Sequence, residues 1–279
     1  MNQRFVFILL IAVMFTAVPM MTFGSVSLTT VGNPPYTESF DTLASAGTSS
    51  TMPTGWEFLE GGTNANTTYT AGNGSSNTGD TYSFGAAASS ERAFGTLRSN
   101  ALNPIFGVSL TNNTSCAISM LSVLYVGEQW RLGYMGRTDR LDFQYSIDAT
   151  SLSDGNWSDV NDLDFSTMNE SSTVGNKDGN TDEWRQTKTF SITGLNIMPG
   201  ATFWIRWQDF DAINADDGLA IDQFSLLALA APIVTTQAVT GINPTTATGN
   251  GDITHLGGIA ATAHGVVWNT IGTPTLADN

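Results

Sequence analysis

One cysteine, two histidines and ten basic residues among 279 leave little room for several common chemistries. Cys116 stands alone, so no intrachain disulfide can form and a zinc–cysteine cluster is excluded. In a strand-like run it reads as a small core residue. His255 and His264 both lie near the C-terminus, which leaves the preceding stretch without an imidazole base. No Gly-x-Ser-x-Gly elbow occurs. A carboxylate pair can in principle hydrolyse a glycoside, but in so Asp-rich a chain such pairs arise without purpose. The scarcity of Lys and Arg gives a net charge of −15, which repels polyanions and argues against nucleic acid as a partner.

What is present points to an all-β protein. Gly, Ser, Thr and Asn are abundant, and helical periodicity is hard to find after the N-terminus. The hydrophobic fraction of 41%, with aromatics spread along the chain, excludes a disordered chain. Residues 1–24 read as a secretory signal: Arg4, then an apolar run from Phe5 to Met14, then small residues to Gly24. No other segment is long enough to span a bilayer. The expected localisation is secreted or cell surface.

Two runs organise the rest. In Phe203–Asp211, Phe203, Ile205 and Trp207 share one face, while Trp204, Arg206 and Gln208 share the other. An acidic loop leads from it to Gly218–Leu226, read as an antiparallel strand. There Ile221 and Phe224 are three apart, so a straight strand cannot bury both on one side. With Phe224 and Leu226 inward, Asp222 is inward too, a costly position for an unpaired carboxylate. Tyr36–Asp41 reads as the opening strand, with Glu38 on the core side. Pro53–Trp56 reads as a turn with an aromatic anchor, and Gly61–Gly79 as a surface loop. Arg92–Leu97, Ala117–Val126, Leu141–Asp148 and Thr187–Ile192 are further strands, with Leu141, Phe143, Tyr145 and Ile147 facing the core. The polar stretch from there to about Asp182 is expected to be loop, pinned by Trp157 and Val160.

Residues 25–229 therefore make one β-sandwich, and 230–232 a short linker. Ile233–Ala238, Thr246–Asp252 and Ala260–Trp268 read as three strands of a second domain over 233–279. They are too few for an independent sandwich, so the chain is expected to be part of a longer modular protein.

Glu38–Asp41, Pro53–Trp56, Asp142–Ser146 and Asp217–Phe224 together resemble an N-terminal module of large secreted bacterial proteins. The resemblance implies a jelly-roll sandwich akin to MAM domains and carbohydrate-binding modules. It covers about residues 33–229. Where that family has two adjacent acids after Ile221, this chain has Asp222 and then Gln223. Residues 232–279 resemble the front half of a fibronectin type III-like repeat.

Three functions follow as expectations. The first is a non-catalytic module for adhesion or carbohydrate targeting; the others are an accessory domain of an extracellular nuclease or glycosidase, and a structural spacer. The candidate metal ligands are Glu38, Asp41, Asp216, Asp217 and Asp222. If the first and last strands lie side by side, calcium bound there removes repulsion between inward carboxylates. The other reading leaves these acids in water, with Arg206 as a partner. Asp178–Glu183 has alternating oxygen ligands but Glu183 where an ion loop needs Gly, and reads as a turn. Trp130, Arg131, Arg137, Asp139 and Arg140 are the candidate ligand surface, with Trp204 and Arg206 as contributors. An exposed Trp with Arg and Asp nearby can stack on a sugar ring and bond its hydroxyls. The competing reading is a core Trp with Arg–Asp pairs at a strand edge.

Overall fold

The computed structural model describes residues 24–261, 263–270 and 272–275, and its regular structure is almost wholly strand. In chain order these are β1 (Val26–Leu28), β2 (Tyr36–Glu38), β3 (Thr48–Ser49), β4 (Trp56–Gly61), β5 (Tyr69–Gly72) and β6 (Asp80–Phe84). β7 (Ala93–Leu97), β8 (Asn103–Asn112), β9 (Ile118–Leu132), β10 (Arg140–Ser146), β11 (Ser158–Asp159) and β12 (Phe165–Ser166) follow. The last are β13 (Gly175–Asn176), β14 (Arg185–Ile197), β15 (Thr202–Asp209), β16 (Gly218–Ala230), β17 (Ile233–Thr240) and β18 (Thr248–His255). Residues 1–23 of the expected signal segment lie outside the described residues. No helix among the described residues is long and apolar enough to cross a membrane.

Two sheets face each other in a jelly-roll-like β-sandwich. One runs β1–β8–β15–β10–β11, with β4 also on β8 and β12 on β10. The other runs β13–β9–β16–β7–β6–β5–β3, with β14 also on β9 and β2 on β16. β15 and β16 thus belong to opposite sheets, and the acidic segment between them crosses the end of the sandwich. They do not pair with each other: β15 already has β8 and β10 on its two sides.

The core follows from alternation along these strands. Phe203, Ile205 and Trp207 are fully buried between the sheets. Trp207 is the hub: its ring lies 5.9 Å from Trp56, 5.5 Å from Phe106, 5.2 Å from Phe143, 5.4 Å from Tyr125 and 5.8 Å from Phe224, which joins both sheets. Burial of one such side chain contributes about 3 kcal/mol. On the opposite parity Trp204 is also buried, because Ala149 and Leu152 fold back over it. Its outward parity holds, but the folded-back segment leaves it no free surface for a ligand. Arg206 on the same face stacks on Trp157 at 3.8 Å.

Several sequence expectations are corrected. Gly61–Gly79 is not all loop, since it contains β5 with Tyr69 enclosed. β10 ends at Ser146, whose Oγ caps a turn through Asp148 and Ala149, and Ile147 is half exposed rather than in the core. The opening strand stops at Glu38. Phe40 takes a left-handed conformation (φ 58°), which turns its ring into the core against Trp56 at 4.7 Å. β17 and β18 pair as a two-stranded sheet, while 260–268 contains no strand among its described residues.

Candidate metal centre

The decisive local feature is a bulge in β16. Against β9, Asp222 pairs with Val126 and Ser225 with Leu124, so β16 carries one residue too many. Gln223 absorbs it with φ 49°, a left-handed conformation that costs a non-glycine residue about 1–2 kcal/mol. The bulge reverses the parity of the strand. Leu219 and Ile221 face the core before it, and Phe224 and Leu226 after it. Asp222 consequently points away from that core, to the outer side of its sheet, which overturns its expected inward placement.

There it meets Glu128 of β9 and Glu91, which precedes β7. One carboxylate oxygen from each lies within 4.8 Å of the others. Glu128 is 1% exposed and Asp222 3%, although both are on the outer side. The cover comes from Trp130, whose Nε1 donates to Glu128 Oε2 at 2.9 Å. The Gln223 amide donates to Asp222 Oδ1 at 2.6 Å, and Asn180 Nδ2 to Glu91 Oε2 at 2.5 Å. Burial, and then the charge of Asp222, push the Glu128 carboxyl up to about 9. Burial pushes Asp222 up to about 7, with the charges of Glu91 and Asp41 adding to it. Arg185 opposes both shifts from a distance, but its own ion pair is with Asp182 at 3.0 Å. When ionised, the group therefore holds more negative charge than its surroundings offset. Oxygens up to about 4.8 Å apart match two ligands about 2.4 Å from a hard divalent cation.

The five acids expected to form one ion site divide between two places. Glu38 lies directly opposite Phe224 in the β2–β16 pair, so the start and end of the sandwich are neighbours. It is half-buried, accepts the Phe40 amide at 3.0 Å, and is raised above the usual carboxylate range by burial. Asp41 is exposed and accepts the Arg92 amide at 3.1 Å. Its charge reaches both Glu38 and Asp222. Asp216 and Asp217 are elsewhere. Glu91 and Glu128 were missed; the available signal was Glu128 sharing strand parity with Trp130.

Asp216 and Asp217 belong to a polar network that closes one end of the core. Asp217 Oδ1 accepts the Gly133 amide at 2.7 Å, and its Oδ2 accepts Thr167 at 2.7 Å and Gln129 at 3.2 Å. The Asp217 amide donates to Asp139 Oδ2 at 2.7 Å. Arg137 bridges the two acids, 3.1 Å from Asp139 and 3.3 Å from Asp217, and also donates to the Ala215 carbonyl. Burial raises Asp139 to about 7 and Asp216 to about 6. With Arg137 serving Asp139 and Asp217, this network is an internal ion-pair system and not part of the Asp222 group.

The five expected ligand residues share no surface. Trp130 is 1% exposed and stacks on Phe84 at 5.9 Å with rings 5° from parallel, so it is a packed side chain. Arg131 Nη1 donates to the carbonyls of Gly74 at 3.1 Å and Ser75 at 3.2 Å. Arg137 and Asp139 are in the internal network. Arg140 pairs with Asp142 and lies over the Phe210 ring at 4.2 Å. Asp178–Glu183 is a turn closed by Thr181 onto the Asp178 carbonyl at 3.0 Å. Cys116 is buried and free. Tyr134 and Phe210, which sequence reading passed over, are exposed aromatics on the segments that flank the network.

No family model matches the chain, and no curated protein matches it. Solved structures give partial likenesses. A cleaved adhesin domain of Lys-gingipain from Porphyromonas gingivalis is 10% identical, with a TM-score of 0.39 over 69% of this chain and 98% of that one. A second cleaved adhesin domain of Lys-gingipain is 15% identical, with a TM-score of 0.36 over 70% and 98%. TmCBM61, in complex with beta-1,4-galactotriose, is 13% identical, with a TM-score of 0.29 over 51% and 74%. The fold assignment rests on the strand pairing described above.

Proposed function

We propose that this chain is a non-catalytic β-sandwich module of a larger exported protein, serving adhesion or carbohydrate targeting and locked by a calcium ion. The observation that carries the reading is the convergence of Glu91, Glu128 and Asp222, with one oxygen each inside 4.8 Å. Two of these acids are nearly fully enclosed, and among the described residues neither has a direct ion pair, Arg185 acting on them only from a distance. A cation with oxygen ligands removes that repulsion and ties β9 and β16 to the segment ahead of β7. Because β16 also carries β2, the ion would fasten the end of the sandwich to its beginning.

The ligand surface in this reading is not at Trp130. Tyr134 is 47% exposed and Phe210 37%, and Arg140 lies over the Phe210 ring. Gly133 packs against the backbone of Ala215 and Asp216, which brings their two connecting segments together. Aromatic faces with a nearby guanidinium suit a sugar ring and its hydroxyls. Glycan-array binding of the full chain in calcium tests this. Binding lost in the Tyr134→Ala, Phe210→Ala double variant, with an unchanged melting temperature, supports it; a blank array favours a structural spacer.

A further inference from the structure

Asp209 ends β15 at the polar end of the core, where it is 1% exposed. It lies opposite Leu141 in the β10–β15 pair, and Leu141 is a fully buried core residue. Its carboxylate therefore faces the interior. Charged and polar groups act on it from several neighbouring elements: Thr96 of β7 and Arg98 just after it, Asp139 from ahead of β10, and Asp216 from the segment between β15 and β16.

The partners are unevenly shared. Thr96 Oγ1 donates to Asp209 Oδ2 at 2.7 Å, while Oδ1 has no hydrogen-bond partner. Neither guanidinium forms an ion pair with this side chain, the charge of Arg98 only partly opposing the effect of burial. Arg137 bridges Asp139 and Asp217, whereas Arg98 pairs with Asp211 at 3.3 Å and reaches only the Asp209 backbone carbonyl, at 3.4 Å. An ionised Asp209 would be an enclosed, unpaired charge with further acids beside it, an arrangement proteins avoid by neutralising the group. One unclaimed oxygen is too few ligands for a metal ion.

We propose that Asp209 is a proton-binding site: the folded module holds it as a neutral carboxylic acid at neutral pH, and ionisation loosens this end of the sandwich. Burial, followed by the charge of Asp139, raises it well above the ordinary carboxylate range, in agreement with the geometry. The linkage has a definite sign. Below the ordinary Asp value of 3.8 both folded and unfolded chains are protonated and the contribution is whole. Above it the folded chain holds one more proton, and the unfolding constant rises about tenfold per pH unit until the folded-state value is passed.

Denaturant unfolding of the full chain and of Asp209→Asn, both in chelator, from about pH 5 to about pH 8, reads this directly. Raised acids remote from Asp209, such as Glu128 and Asp222, contribute equally to both proteins. The variant's unfolding constant is expected to rise less steeply, by about a factor of ten per pH unit. Equal slopes in two folded proteins would overturn the proposal. Should the variant fail to fold, the ¹³C shift of the wild-type Asp209 carboxyl carbon decides. A protonated shift at neutral pH supports the site, and an ionised one rejects it.

Discussion

Trp130 donates its indole N–H to Glu128 at 2.9 Å while its ring lies parallel to Phe84. A side chain that the sequence offers as a sugar platform is instead the cover over a buried acid. Trp130→Ala should therefore cost about 3–5 kcal/mol by the loss of packing. Trp130→Phe should keep most of the packing but remove the donor, at about 1 kcal/mol. Denaturant unfolding checks both, and no selective loss of ligand binding should accompany Trp130→Phe.

In the proposed site, calcium and protons would compete for the same oxygens. Without metal, Glu128 at about 9 and Asp222 at about 7 contribute stability that is whole in acid, below the ordinary values of 4.5 and 3.8. It is lost as pH rises through the folded-state values, because the ionised acids then repel one another. Calcium binds the ionised forms, so its stabilising increment should grow with pH. Melting temperatures with and without calcium should nearly coincide at about pH 5 and diverge by about pH 8. A constant difference would contradict this assignment of ligands.

Arg137 is the hinge of the internal network. Arg137→Ala strips the counter-charge from Asp139 and Asp217, both fully buried, and should cost about 3–5 kcal/mol. Arg137→Lys retains one charge but not both contacts, so an intermediate loss is expected in equilibrium unfolding.

The bulge at Gln223 makes a prediction of opposite character. Gln223→Gly relieves the left-handed strain but adds unfolded-state entropy, so stability should change by less than about 1 kcal/mol. Gln223→Val, β-branched at φ 49°, should lose about 1–2 kcal/mol or more, and should weaken calcium binding by tilting Asp222. Unfolding and calorimetric titration of the two variants separate these effects.

Much of the fold was legible because alternation is a local property. Phe203, Ile205 and Trp207 declared the inner face of β15, and Tyr36–Glu38 does lie beside Phe224–Leu226. What alternation cannot reveal is a change of phase within a strand. The spacing of Ile221 and Phe224 contained the clue, since both are buried on one side, but only a bulge reconciles them. Straight-strand reasoning instead turned Asp222 inward. Nor does parity say what covers an outer face: Trp204 and Trp130 are enclosed by segments distant in sequence, Ala149–Leu152 for one and Tyr82–Phe84 for the other. Glu91 and Glu128 escaped notice because they reach Asp222 only through the pairing of three strands. Asp216 and Asp217 looked like companions of Asp222 because they are near it in sequence, yet they precede β16 and are held in the loop and the Arg137 network at the end of the core.

The central claim is that Glu91, Glu128 and Asp222 form a calcium site. Calorimetric titration of the metal-free full chain with calcium, alongside Glu128→Gln and Asp222→Asn, tests it most directly. One ion per chain, with binding abolished in both variants and a chelator-reversible rise in melting temperature only in the wild type, is the predicted result. No calcium binding by the wild type, or equal binding in all three, would contradict it.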